Sequence, residues 1–409
     1  MSQLNEPQIN TDEHRKNTPQ LRFPEFRDDV EWNLSTIAEI SSVSSGGTPS
    51  RAKTEYWNGN IPWVSTTLID FNTIHSANEY ITGTGLNNSS TKIFPKNTIL
   101  MAMYGQGKTR GKVAVLGIEA AINQACAAIT LKKGMNTNFV FQNLAARYDE
   151  LRKISNQGGQ ENLSGTLIKA IPFVYPDIKT KEQQKIANCL ASLDELISAQ
   201  SQKIKALKTH KKGLMQQLFP SGGETVPKLR FPEFINVEKW KIKPFNKLLT
   251  IGNGKDYKHL SDGDVPIYGS GGYMRSVDSY LYDGESACIG RKGTINRPMF
   301  LTGKFWTVDT LFYTHSFKGC LPKFIYLIFQ NINWLSHNEA GGVPSLSKAN
   351  IGKIEVAVPK LSEQQKIADF ISTIDDLVKI QSKKVELLKT HKKGLMQQLF
   401  PSNNDELNV

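Results

Sequence analysis

The stretch Tyr104-Gly-Gln-Gly-Lys-Thr-Arg-Gly-Lys112 interleaves glycine with cations, and Gly105-Gln106-Gly107-Lys108-Thr109 within it resembles part of a phosphate-binding loop. A nucleotide-hydrolysing loop needs a glycine five positions before Gly107, so that successive amides cradle the phosphates. Ala102 stands there instead. The better reading is a Gly-rich turn that presents Lys108, Arg110 and Lys112, with Gln106 beside them. Glycine permits close backbone approach, and cations neutralise phosphates or reach guanine edges in the major groove. Ile289-Gly-Arg-Lys-Gly-Thr-Ile-Asn-Arg297 occupies the corresponding place in the second half, with Arg291, Lys292, Thr294, Asn296 and Arg297. The competing reading, a solvated basic turn, loses ground because two such turns stand at equivalent places.

A second group is polar and aromatic. Gly46-Gly-Thr-Pro-Ser-Arg51 and Tyr56-Trp-Asn-Gly-Asn-Ile-Pro-Trp-Val-Ser-Thr-Thr67 carry Arg51, Ser65, Thr66 and Thr67. The corresponding region of the second half carries Lys255, Tyr257, Lys258, Tyr268, Ser270 and Arg275. Hydroxyls and cations at turn tips suit base-edge and phosphate hydrogen bonds. The aromatics read as core rather than as stacking platforms, as large apolar side chains usually do.

Catalysis finds no support. His75, His210, His259, His315, His337 and His391 lack cysteine or carboxylate companions at metal-ligand spacing. Asp177, Glu182 and Lys185 vaguely resemble a nuclease cluster. Glu182 and Lys185 recur as Glu363 and Lys366 but Asp177 does not, so they read as helix capping. There is no cofactor-binding Gly-rich turn with an Asn-Pro-Pro loop and no helicase loop. The expectation is no catalytic residue, no metal and no directly bound cofactor.

Two long repeats must position these turns. Residues 182–221 return almost intact at 363–402, an offset of 181 residues. Ile186, Leu190, Leu193, Ile197, Ile204, Leu207, Leu214 and Leu218 step by four and three, as do Ile367, Ile371, Ile374, Val378, Val385, Leu388, Leu395 and Leu399. That 3.5-residue period makes a coiled-coil seam. Gln200 and Gln381, and Lys211 and Lys392, fall in the seam at matching places, where a polar residue fixes register and partner number. Each helix should span roughly 50 Å. Gly213 and Gly394 should loosen the last turns, and Pro220 and Pro401 should stop the helices. A helix packed only on its own domain is the bland alternative.

Leu21-Arg-Phe-Pro-Glu-Phe26 also returns, as Leu229-Arg-Phe-Pro-Glu-Phe234, at an offset of 208 residues. Each copy is expected to be extended and to lead into a short amphipathic helix (Trp32, Leu34, Ile37, Ile40; then Trp240, Ile242, Phe245, Leu248). The variable bodies between the repeats are mixed, with short strands and helices at 139–151 and 322–332, and should share one fold. The expected organisation is a disordered lead (1–18), a first body (19–176), a first helix (177–221), a linker and second body (222–358), a second helix (359–402) and a tail (403–409).

A net charge of +12 points to a polyanionic partner, most often nucleic acid. No stretch reaches the apolar length of a membrane span, and the polar N-terminus does not read as a secretory signal. Cys126, Cys189, Cys288 and Cys320 are scattered and read as buried free thiols in a reducing compartment, hence the cytoplasm.

Together, the LRFPEF segments, GGTPS with YWNGNIPWVS, YGQGKTRGKV, IGRKGTIN and the EQQKIA helices ending KGLMQQLFP resemble the specificity subunits of Type I restriction–modification systems, over nearly the whole chain. The resemblance implies an α+β fold, with two α/β target recognition domains separated by two long antiparallel coiled-coil helices in a pseudo-twofold repeat. Each domain would read one half of an asymmetric bipartite site in double-stranded DNA. The helices, through Leu193, Ile197, Gln200, Ile204, Leu207, Leu214, Ile374, Val378, Gln381, Val385, Leu388 and Leu395, would set the spacing and dock the partners. Those partners would be two modification (methyltransferase) subunits and two restriction subunits, with S-adenosylmethionine, ATP and magnesium bound on them. Two readings of other classes stay open here: a coiled-coil scaffold joining two protein-binding domains, and a self-contained DNA enzyme.

Overall fold

The lead-in segments fold as strands where a short helix was expected. Leu34 and Ile242 are exposed, so no amphipathic face forms there. Asn33–Thr36 instead pairs antiparallel with Pro172–Tyr175, and Lys241–Pro244 with Glu355–Val358. Only the following single turns, Ile37–Ile40 and Phe245–Leu248, are helical. In both cases the backbone finds its partner at the far end of the body, closing the body on itself. In this computed structural model the described residues are 17–105, 108–154 and 162–401. Most of the expected lead, the tail from 402 and Gln106 lie outside them.

The chain divides into two compact units: Met1–Ala199 with Val385–Val409, and Gln200–Lys384. In the first unit a five-stranded sheet runs Ser41–Ser45, Cys126–Leu131, Ile99–Ala102, Val113–Leu116, Thr73–Ile74. A four-stranded sheet runs Glu79–Ile81, Trp57–Val64, Ala120–Ile122, Ile93–Phe94. The second unit repeats this plan. One sheet is ordered Thr250–Asn253, Leu311–His315, Ser286–Gly290, Met299–Leu301, the other Gly272–Val277, Asp262–Gly269, Lys304–Thr307, Tyr282–Asp283. One parallel pair is common to both bodies, Trp63 against Ala121 and Ile267 against Trp306, and the first body adds a second, Thr73 against Val115. The same close approach recurs: a Cβ on Gly46 would collide with Ile122 O and one on Gly254 with Val308 O, so both turns need glycine.

Each body packs a helix, Thr137–Ala146 or Pro322–Asn331, between its sheet and the long helices. The long helices are Glu182–Leu218 and Leu361–Leu399, about 55 and 58 Å at 1.5 Å per residue. Both run unbroken through Gly213 and Gly394 rather than loosening there. Lost propensity at one glycine, about 1 kcal/mol, is outweighed by burial of Met215, Leu218, Met396 and Leu399 just beyond. Both end two residues before Pro220 and Pro401.

Within the first unit, 182–199 of the first helix runs antiparallel to 385–399 of the second. Ile186 and Leu190 share a core with Leu399 and Phe400. Phe400 sits edge-on to Phe139 at 5.6 Å, and Trp32 does the same from the lead-in. The second unit builds the matching cluster from Phe219, Phe324 and Trp240, at 5.4 and 5.9 Å. Its core joins Met215 and Leu218 to Ile367 and Ile371. Fully burying a side chain of this size contributes roughly 1.5–3 kcal/mol, so the KGLMQQLF ends are anchors for the bodies.

Candidate nucleic-acid interface

The fastening that holds each body is built from the repeated motifs. Arg22 donates from Nε and Nη2 to the two carboxylate oxygens of Glu182, at 2.8 and 2.7 Å, and from Nη1 to Asp29 O at 2.8 Å. Arg230 meets Glu363 at 2.8 Å twice and donates to Val237 O and Glu238 O. A planar guanidinium presents this bidentate fork, and a lysine does not. Both pairs are buried, and the Glu182 side chain is 0% exposed. Glu182 therefore does more than cap its helix. Its carboxylate gathers the lead-in, although an acid in the first turn also suits the helix dipole.

One turn further along, Lys185 pairs with Glu25 at 2.9 Å and lies over the Phe23 ring, while Lys366 repeats this with Glu233 at 3.1 Å and Phe231. Lys185 and then a hydrogen bond from its own amide hold Glu25 below the usual carboxylate range, and for Glu233 its own amide leads and Lys366 follows. Leu21 N donates to Gln398 O at 2.9 Å and Leu229 N to Gln217 O at 3.0 Å, tying each lead-in to a helix end. Gln183 and Gln364 secure the start of each body helix, accepting from Asn136 N and Leu321 N.

The seam positions are covered to different degrees. Ile374 and Val385 are buried. Leu193, Ile197, Gln200, Ile204, Leu207, Leu214, Val378, Gln381, Leu388 and Leu395 are half-buried. The Oε1 atoms of Gln200 and Gln381 are buried without a hydrogen-bond partner among the described residues.

The basic turns are less alike than their sequences. In the first, Lys108 is exposed, and its carbonyl accepts from the Tyr148 hydroxyl. Arg110 is a correction: it is 5% exposed, and its guanidinium donates to Arg152 O at 2.8 Å. It braces the turn from within and is not presented at the surface. Lys112 is half-buried and spent on Asp70 at 2.6 Å, beside the Phe71 ring. In the second turn Arg291, Lys292, Asn296 and Arg297 are exposed and Thr294 is half-buried. Gly293, at φ +87°, makes the bend that a side chain would strain.

The polar tips divide in the same way. Arg51 lies 3.7 Å over the Trp57 ring and pairs with Glu79, which holds the arginine's pKa up and the glutamate's down. Ser65 and Thr67 share a hydrogen bond at 2.8 Å on either side of Thr66. Lys255 and Lys258 are exposed, Tyr257 packs under Arg275, and Arg275 donates to Leu260 O at 3.0 Å. Tyr268 packs against Tyr273, a residue that is 62% exposed, and Ser270 is half-buried. Trp63 and Tyr56 are core, as large apolar side chains usually are. Tyr273 and Lys348, both beside these tips and turns, were not among the contact residues expected from the sequence. The first follows from strand alternation after Gly272. The second carries no local signal.

Among the described residues no group of three or more His, Cys, Asp or Glu could hold a metal, and no helix is long and apolar enough to cross a membrane. Cys126, Cys288 and Cys320 are buried and Cys189 is half-buried, all as free thiols. Burial pushes Cys126 and Cys288 up to about 12, which leaves essentially no thiolate for nucleophilic chemistry.

Two mixed sheet-and-helix bodies, each fastened by an Arg–Glu lock to the long repeated helices within its own unit, define the class: a duplicated α+β chain. The chain belongs to the family described as the Type I restriction modification DNA specificity domain, whose model matches residues 29–209 and 237–390. It is 30% identical over 175 residues to the EcoR124I/EcoR124II specificity subunit of Escherichia coli, covering 42% of each chain. It is 26% identical to the MjaIX specificity subunit of Methanocaldococcus jannaschii, covering 55% of this chain and 53% of that one. These two matches thus span about half the length of the relatives concerned. The MjaVIII specificity subunit of the same archaeon is 22% identical, over 96% of both chains. Among solved structures, the S subunit from M. genitalium superposes with a TM-score of 0.60 at 16% identity, covering 94% of this chain and 99% of that one. That likeness is one of fold.

Proposed function

We propose that this chain is the noncatalytic DNA sequence-specificity subunit of a Type I restriction–modification complex, acting in the cytoplasm. Residues 19–176 and 222–358 each hold a target recognition domain, and each domain reads one half of an asymmetric bipartite site in double-stranded DNA. The helical segments 177–221 and 359–402 set the gap between the half-sites and dock two modification subunits, through which two restriction subunits join. S-adenosylmethionine, ATP and magnesium belong to those partners. In the first domain Arg51, Ser65, Thr66, Thr67, Lys108, Lys112 and the Gln106 position contact DNA, with the buried Arg110 shaping the turn. In the second, Lys255, Tyr257, Lys258, Tyr268, Ser270, Arg275, Arg291, Lys292, Thr294, Asn296 and Arg297 do so.

The observation that supports this most is the contrast between frame and surface. The same locks recur residue for residue in both units, Arg22–Glu182 and Arg230–Glu363 above all, while the exposed turns differ. A repeated frame suits repeated partners, and divergent turns suit two different half-sites. Sequencing that maps methylated bases, in a host carrying this chain with its modification subunits, tests the reading. A two-part sequence with a constant gap is expected. A single continuous site, or methylation indifferent to the chain, contradicts it.

A further inference from the structure

The second unit contains a cleft of about 780 Å³ between the Arg291–Lys292 turn and the loop that leads into the helix Lys348–Lys353. The two walls are bound into one frame. Leu346 N donates to Arg291 O and Gly293 N to Pro344 O, each at 2.8 Å, and Arg291 N donates to Thr310 O at 2.8 Å. Glu339 lines the cleft, and its carboxylate accepts from Ser347 N at 2.7 Å, which pins the loop below Lys348. Asn338 accepts from Ala340 N and Ser345 N and shapes the same loop. Buried Leu346 and Ile351 anchor it to the core.

Arg291, Lys292 and Lys348 all line this cleft, and among the described residues none of them has a carboxylate within ion-pair distance. Arg291 Nη1 reaches only the Asp309 carbonyl, at 3.4 Å. Partial burial, and after it the charge of Arg291, push Lys348 below the usual ammonium range, with Asp309 and Glu339 also lining the cleft. Two cations that line one cleft and raise each other's electrostatic cost are relieved by an anion bound between them.

We infer that Lys348 and Arg291 are the two jaws of a clasp that holds one backbone phosphate of the DNA on the second unit. This rests on the DNA-reading function proposed above and adds a contact residue on the far side of the cleft from the basic turn. The clasp belongs to one unit only. Leu346-Ser347 corresponds to Leu163-Ser164, which places Gly165 where Lys348 stands.

The test is a titration of the full chain, purified with the subunits it assembles with, against mixed-sequence duplex DNA at several salt concentrations. Lys348→Met and Arg291→Met should each weaken binding several-fold, and Lys348→Arg should preserve it. Lys353→Met, on the same helix but outside the cleft, should have no effect. Because both jaws hold one phosphate, the double variant should lose less than the product of the two single losses. Its log affinity against log salt should flatten by about 0.9, the increment for one contact. Unchanged binding in the Lys348 and Arg291 variants, or losses that multiply with a slope change of two contacts, would overturn the clasp while the function stands. A wild-type complex that binds no duplex at low salt would remove the function and the clasp together.

Discussion

Lys392 Nζ lies 2.6 and 2.7 Å from the two carboxylate oxygens of Asp194, and Lys211 makes the same contacts with Asp375 at 2.6 and 2.8 Å. Each pair joins a lysine of one helix copy to the aspartate of the other, and the 181-residue offset carries one pair onto the other. The lysine side chains are only 15% exposed. Both therefore act inside the seam, where a charge tolerates one alignment and penalises its neighbours. Lys392→Met should cost about 1 kcal/mol of stability, the upper end for a pair still partly open to water. A denaturation double-mutant cycle with Asp194→Asn should show most of that as coupling. Additive losses would mean that the pair is incidental.

The Arg22–Glu182 lock should matter more. Removing Arg22 leaves a carboxylate that water cannot reach, and breaking such a buried pair costs about 3–5 kcal/mol. Arg22→Ala should lower the unfolding midpoint sharply, and Arg22→Met with Glu182→Leu should recover much of it. Arg230→Ala should be milder, because Glu363 also accepts from Trp240 Nε1 at 3.1 Å. Among the described residues the corresponding Trp32 Nε1 has no partner. Equal losses in the two units would refute this ranking, which calorimetry can read directly.

What was legible in the sequence was whatever repeats or has a short period. The two helices, their ends ahead of Pro220 and Pro401, and the shared plan of the bodies all follow from spacing and duplication. What depends on distant partners was not legible. Leu34 and Ile37 have helical spacing, yet Leu34 lies in a strand because it pairs with Val174. Glu182 reads as a capping acid until Arg22, 160 residues earlier, is seen on it. Arg110 and Lys108 look alike in YGQGKTRGK, and only the tertiary fold buries the first and exposes the second. Lys348 looks like any surface lysine until the loop is zipped to the basic turn.

The glutamines in the seam offer a test of specificity against stability. Gln200 and Gln381 each bury an Oε1 without a partner among the described residues, and an unsatisfied buried polar atom costs roughly 1–3 kcal/mol. Replacing both with leucine should raise the thermal midpoint while removing a device that selects one register. A lower midpoint would show that these amides bond within the assembled complex or across the seam.

The central claim is that each variable body reads its own half of the site. Exchanging residues 21–176 for the equivalent body of another specificity subunit, then mapping methylated bases in the host, tests it most directly. The account predicts that one half of the methylated sequence changes and the other half stays as it was. A change in both halves, or in neither, would contradict it.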